Sequence, residues 1–242
     1  CAVPAQRLLV IADAHIGSAP AANEVALLRF LRDAPSMGDA LLVAGDLFEF
    51  WFGWRRAIPR RGFAVAAALV ETAARMPVRM LGGNHDRWGR QIWAESGITW
   101  SPGQLELQVD GHRVEALHGD GVAERPGRVS WSHRLIGHPL TAGTFGLLHP
   151  DLGVWLVDRL SPWLGELRPS AERKAASAAR QLAYAHERLA GDGAPWMLIM
   201  GHTHVAALEE LAPSRFYLNP GPWIDEQRYA VVTREGASLH QF

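Results

Sequence analysis

Nine polar side chains recur at the ends of apolar runs: Asp13 and His15, Asp46, Asn84 with His85 and Asp86, His118, and His202 with His204. Mixed carboxylate, imidazole and amide donors suit Mn, Fe, Zn or Co better than Ca or an all-cysteine zinc site. Residues two apart on an extended segment point to the same side. Asp13 and His15 therefore suit one cation, and His202 and His204 could be split between two. An aspartate such as Asp46 can give one oxygen to each of two metals. Two cations about 3.5–4 Å apart would lower the pKa of a bridging water and clamp a phosphoryl oxygen, machinery suited to phosphate ester hydrolysis. Each piece alone has an ordinary explanation. D-x-H occurs by chance in solvated loops, G-D is common turn chemistry, and His118 alone reads as a hydrogen-bonded histidine. GNHD and GHTH are more specific, since each sets imidazoles just past a Gly that ends an apolar strand. The ordered set is what predicts a site.

To meet, these residues must be carried by elements that converge. The runs LLVIADAH at 8–15, ALLVAGD at 40–46, VRMLGGNHD at 78–86 and WMLIMGHTH at 196–204 read as buried strands emptying into loops. Helical patterns at Asn23–Asp33, with Asn23 a candidate cap, and at Gly62–Arg75 separate the first three. Strand–helix alternation implies α/β layering, whose strand ends share one edge. LELQV and HRVEAL flank Asp110-Gly111, a hairpin signal, and RFYLN and RYAVVT predict two more strands around an NPGPW turn. From about Gly121 to Gly191 the rhythm changes to Trp-, Leu- and Pro-rich sequence, followed by the Ala-rich helical run Ser170–Leu189. The expected division is a core of residues 1–120 and 192–242 with a helical cap inserted at 121–191.

Length and composition fit this division. A chain of 242 residues, 48% apolar, can bury a substantial core. The 24 basic residues against 25 acidic ones leave a net charge of −1, and no dense basic run is present, so nucleic acid is not an expected partner. Lys174 is the sole lysine. The single cysteine, Cys1, excludes an internal disulfide and fits a reducing compartment. No run approaches the roughly 18 apolar residues of a membrane span, and no leader pattern precedes the first strand, so a soluble or at most peripheral chain is expected.

Together DAH, GD, GNHD, a later His and GHTH resemble the calcineurin-like metallophosphoesterase superfamily from Asp13 to His204. The resemblance implies a four-layer α/β/β/α sandwich. It also implies that Asp13, His15, Asp46 and His204 hold one divalent cation and that Asp46, Asn84, His118 and His202 hold a second. Asp46 would be the bridge. By the same resemblance His85 would stand beside the scissile phosphate, stabilising charge and protonating the leaving oxygen. Asp86 would orient that loop or serve a structural role.

GDxxDRG, the mark of the protein phosphatase branch, is absent. GDLFEFW, HGD at 118–120, GHTH and the helical insertion are instead similar to the UDP-2,3-diacylglucosamine diphosphatase family of lipid A synthesis. That likeness implies hydrolysis of a nucleotide-linked glycolipid to UMP and a diacylglucosamine 1-phosphate. It further implies two transition-metal ions, manganese foremost, and Arg87 near the substrate. A cytoplasmic location follows, with the cap available for peripheral contact at the cytoplasmic face of the inner membrane. The best-known members carry Arg where this chain has His85. The cap residues Trp131, Leu135, Ile136, Leu140, Phe145, Leu147, Leu148, Trp155, Leu156, Trp163 and Leu164 either line an acyl groove, touch a bilayer or pack the cap. Trp51 and Trp54 are open between substrate wall and cap support. Arg125, Arg128 and Arg134 read as solvated surface before phosphate contacts, and His133, His138 and His149 as cap structure. The competing functions are another phosphodiesterase or nucleotide diphosphatase, and a non-catalytic scaffold on the same fold.

Overall fold

The computed structural model describes residues 5–123, 139–164 and 170–242. The expected cap residues Arg125, Arg128, Trp131, His133, Arg134, Leu135, Ile136 and His138 lie outside them, as do the side chains of Trp163 and Leu164.

Strands β1 (Leu8–Ile11), β2 (Ala40–Val43), β3 (Val78–Leu81) and β4 (Thr99–Ser101) run parallel. The hairpin β10 (Arg228–Thr233) and β11 (Gly236–Gln241) completes that sheet, pairing antiparallel to β1 in the order β11-β10-β1-β2-β3-β4. The second sheet is built from β5 (Gln104–Val109), β6 (His112–Leu117), β7 (Met197–Met200), β8 (Ala207–Ala212) and β9 (Arg215–Asn219), in the order β5-β6-β7-β9-β8. Asp110 (φ 46°) and Gly111 (φ 84°) form the turn between β5 and β6, the left-handed pair that such a hairpin requires.

The apolar runs are continuous because each strand is covered on both faces. On β1, Leu9 and Ile11 pack with Phe30, Leu31 and Leu69 of helices α1 (Ala21–Met37) and α2 (Phe63–Ala73). The alternate residues Leu8 and Val10 meet Val114, Met197, Ile199 and Leu218 of the other sheet. The remaining face of the second sheet carries Leu198, Met200 and Tyr217, which bury Ala185 and Leu189 of α7 (Ala171–Ala190). Helices, sheet, sheet and helix make the four layers that the motifs implied.

Asn23 does not cap α1, whose cap position is Pro20. It is buried instead: its amide donates to the Ile224 carbonyl, and its own carbonyl accepts from the Trp223 indole, tying α1 to the short helix α8 (Trp223–Glu226). Three further short helices are α3 (Arg90–Glu95), α4 (Asp120–Ala123) and α5 (Pro139–Phe145). Helix α6 spans Pro150–Leu164.

Aromatic packing seats α5 and α6. Phe145 has ring centroids 5.0 Å from Phe52, 5.9 Å from Trp54 and 6.0 Å from Phe50, so Trp54 packs against α5. Trp51 is fully buried between Phe48 and Trp93, in the core rather than at a substrate wall. The Arg61–Asp158 pair, bidentate at 2.9 and 3.2 Å but half exposed, adds about 0–1 kcal/mol. Leu140, Leu147 and Trp155 face outward at 72%, 87% and 60% exposure, unlike Phe145. A cleft of about 470 Å³ is lined by Trp54, Arg55, Arg56, Leu148 and His149, and none of the expected metal ligands borders it.

Candidate metal centre

Asp13 and His15 follow β1, Asp46 follows β2, and Asn84, His85 and Asp86 follow β3. His118 follows β6, and His202 and His204 follow β7. All leave the carboxyl ends of parallel strands, so both sheets empty onto one edge. The parallel ladder of β1 and β2 continues into the loops: Asp13 N donates to Gly45 O at 3.1 Å, and the amides of Ala14 and His15 both donate to Asp46 O at 2.9 and 3.0 Å. From the second sheet, Gly201 N reaches His118 O at 3.0 Å, and His202 N meets both carboxylate oxygens of Asp13 at 3.0 Å.

The backbone at this edge is strained. Among the described residues, eight non-glycine positions have positive φ, and five are Asp13, His15, Asp46, His202 and His204. Left-handed backbone costs about 1 kcal/mol or more at such residues and persists where surrounding contacts over-determine it, as at ligand clamps. Glycines make room: a Cβ on Gly45 would overlap His118 Nδ1, and one on Gly83 would overlap Asp46 Oδ1.

Among the described residues three groups of side chains converge, one of them His15, Glu49 and His85 and the other two made of expected ligands alone. Asp13, His15 and His204 have ligand atoms within 4.8 Å of one another, as do Asp46, His118 and His202. Between the groups Asp46 Oδ2 lies 3.8 Å from His15 Nε2 and 3.2 Å from His118 Nε2, while His118 Nε2 is 3.2 Å from Asn84 Oδ1. His15 Nε2 is 3.2 Å from His204 Nε2. The seven expected ligands are thus all brought to this edge, with Asp46 in the middle.

The remaining ring nitrogens are engaged elsewhere. His118 Nδ1 donates to Ala44 O at 2.9 Å, and His15 Nδ1 to Glu49 Oε2 at 3.0 Å, leaving each Nε2 turned inward. Outer partners of this kind fix the tautomer that a metal-binding imidazole needs. Converging Nε2, carboxylate and amide oxygens with few hydrogens among them fit a divalent transition metal.

Electrostatics follow the same geometry. Burial opposes charge on His118, yet the adjoining Asp46 carboxylate outweighs it and pushes the imidazole up to about 10. His85 is likewise pushed up to about 9: desolvation opposes, and Asp46 and Glu49 prevail. Burial beside His118 drives His202 down to about 3. Burial and the Asp46 charge push Asp86 up to about 6. Asp86 is fully buried and binds the amides of Gly83 at 2.8 Å, Leu47 at 2.8 Å and Phe48 at 3.2 Å, so it clamps the GD loop to the GNHD loop. At neutral pH the His118 proton must leave when a cation takes Nε2. Manganese binding to metal-free protein should therefore release protons, read as calorimetric enthalpies that scale with buffer ionisation heat. Equal enthalpies in all buffers would show that His118 was already neutral.

Four residues went unassigned in the sequence reading. Glu49 touches both His15 and His85, and its position as a lone carboxylate inside the apolar run LFEFW was the available signal. Asp120 pairs with Arg87 at 2.6 Å, so the Arg87 guanidinium is held by Asp120 and by Gly83 O. Gln181, buried on α7, donates to the carbonyls of Gly119 and Gly201 and accepts from Tyr217 OH, bracing the loops of His118 and His202. Asp225 lies between Lys174 at 3.4 Å and His204 Nδ1 at 3.9 Å. Nothing local in the sequence marks these last two.

The family described as calcineurin-like phosphoesterase matches residues 6–206. UDP-2,3-diacylglucosamine hydrolase of Serratia proteamaculans is 30% identical, covering 97% of this chain and 98% of its own. The protein of the same name from Sodalis glossinidius is 29% identical over 97% of both chains. A solved phosphoesterase from E. coli aligns at 17% identity with a TM-score of 0.45, over 96% of this chain and 91% of its own. The chain belongs to the calcineurin-like phosphoesterase family and is a metal-dependent phosphoester hydrolase.

Proposed function

We propose that this hydrolase cleaves the diphosphate of UDP-2,3-diacylglucosamine, releasing UMP and 2,3-diacylglucosamine 1-phosphate. The observation that carries this reading is the extent of its likeness to hydrolases named for that substrate. It spans 97% of this chain and 98% of the Serratia protein, insertion included. In this reading residues 1–120 and 192–242 form the catalytic core and 121–191 the cap, with the C-terminal half of α7 also serving as the core's outer layer.

Asp13, His15, Asp46 and His204 would hold one cation and Asp46, Asn84, His118 and His202 the other, with manganese the expected metal. Bound there, two divalent cations supply a nucleophile from water at neutral pH and stabilise charge on a phosphoryl oxygen. The chain's own part is to orient and to move protons. Asp46 aligns the two ligand groups and, through Oδ1, takes the His85 amide at 2.9 Å. His85, charged at neutral pH, offers a proton to the departing sugar phosphate oxygen. Arg87 meets the substrate phosphate by exchanging Asp120 for it. Leu140, Leu147 and Trp155 form the surface for peripheral contact at the cytoplasmic face of the inner membrane. No described helix is long and apolar enough to cross a membrane.

A second reading, a phosphodiesterase or nucleotide diphosphatase with another substrate, is favoured by one feature: GNHD stands where the best-known members of the lipid family have Arg in place of His85. A substrate panel separates the two. Manganese-dependent release of UMP from UDP-2,3-diacylglucosamine is expected, and hydrolysis of simple diesters with none of the glycolipid would overturn the lipid assignment.

A further inference from the structure

Glu49 stands where the two ring systems of the site come together. Its Oε2 accepts from His15 Nδ1 at 3.0 Å, its Oε1 lies 3.3 Å from His85 Nδ1, and its backbone carbonyl accepts from the same His85 nitrogen at 3.1 Å. Ser18 Oγ adds a 3.0 Å hydrogen bond to Oε2. The carboxylate is itself fixed, being 12% exposed, with its backbone amide bonded to Ile16 O at 3.0 Å. The His15 and His85 rings meet edge to face, with centroids 4.9 Å apart. One carboxylate thus contacts an expected ligand of the cation held by Asp13, His15 and His204, and also the expected proton donor.

We propose that Glu49 is a positioning residue that couples the two: by accepting from both Nδ1 atoms it turns Nε2 of each ring to the reaction edge, bare at His15 and protonated at His85. The inference rests on the two-metal reading above. Its physical basis is the shared acceptor. An imidazole with Nδ1–H committed to a carboxylate has a basic, oriented Nε2, and removing such a partner typically weakens a metal site by about 10- to 100-fold. Here the same loss leaves His85 Nδ1 with only the residue-49 backbone carbonyl at 3.1 Å, so metal affinity and the hold on the proton donor weaken together.

Glu49→Gln keeps the shape and one acceptor oxygen while losing the second acceptor and the charge. Manganese titrated calorimetrically into the metal-free variant should show one of two binding steps weakened by about 10- to 100-fold and the other unchanged. Two-bond proton–nitrogen spectra of the zinc-loaded protein should show hydrogen on Nδ1 of both His15 and His85 in the parent, with the His85 Nδ1 proton shifted upfield in the variant as it loses the carboxylate, an effect that simple loss of stability would not produce. Ser18→Ala, which removes the hydroxyl's contacts with Glu49 Oε2 and the His15 carbonyl but no acceptor of either Nδ1, should leave both Nδ1 signals in place and controls for general loosening. If Glu49→Gln retains both binding steps and the parent's Nδ1 proton signals while the parent binds two cations, the coupling is wrong and the two-metal reading stands. A parent that binds fewer than two cations overturns that reading itself. If Glu49→Gln does not fold, the parent decides: a His15 or His85 ring with no hydrogen on Nδ1 overturns the proposal.

Discussion

Asp46→Asn should lower the turnover of the manganese-loaded enzyme by at least about 1000-fold while leaving the fold intact. Asparagine tolerates the left-handed backbone that Asp46 adopts (φ 50°), and its amide oxygen can still accept from the His85 amide. It cannot replace Oδ2, the oxygen 3.2 Å from His118 Nε2 and 3.8 Å from His15 Nε2, because an amide nitrogen has no lone pair to give a cation. In the proposed two-metal reading, losing the bridge would remove one cation's share of transition-state stabilisation. At about 4 kcal/mol that share is about three orders of magnitude in rate. The check is single-turnover hydrolysis by parent and variant with matched circular dichroism and saturating manganese. A variant within tenfold of the parent would remove Asp46 from the centre.

His85→Asn should reduce kcat by about 100- to 10,000-fold, the usual weight of a positioned proton donor, with a smaller effect on metal binding. The pH profile gives the sharper test. Asp46 and Glu49 raise the His85 pKa to about 9, above its ordinary 6.5. The charged form is then present below that value and lost as pH rises through it. Activity should decline on the alkaline side, at or below about pH 9, since nearby cations move the limb downward. In His85→Asn the limb should disappear. Its persistence with an unchanged kcat would assign the proton to another group.

The parts of the fold that were legible in the sequence are those where a single physical constraint dominates. β1, β2, β3 and β7 are buried on both faces, so their apolar runs have no competing interpretation. Their ends were equally clear, because Gly45, Gly83 and Gly201 each punctuate a run just before polar ligand types. The edge strands β4, β8 and β11 were missed. β8 reads ALEELA with Glu209 and Glu210 in its middle, the charged pattern that protects an edge but also suits a loop or helix. Asn23 was taken for a cap from its type, whereas its contacts are with Trp223, Ile224 and Gln227 at the far end of the chain. Distance in sequence hid the outer contacts of the centre too: Glu49 with His85, Arg87 with Asp120, and Gln181 with Gly119 and Gly201. Residue types mark which groups can bind a metal. Which groups orient them depends on how two sheets and α7 pack.

The central claim is that Asp46 bridges two cations. Crystals grown with manganese and measured at an energy where it scatters anomalously should show two peaks about 3.5–4 Å apart. One should be bounded by Asp13, His15 and His204, the other by Asn84, His118 and His202, with the Asp46 carboxylate between them. A single peak, or peaks away from Asp46, would contradict the account.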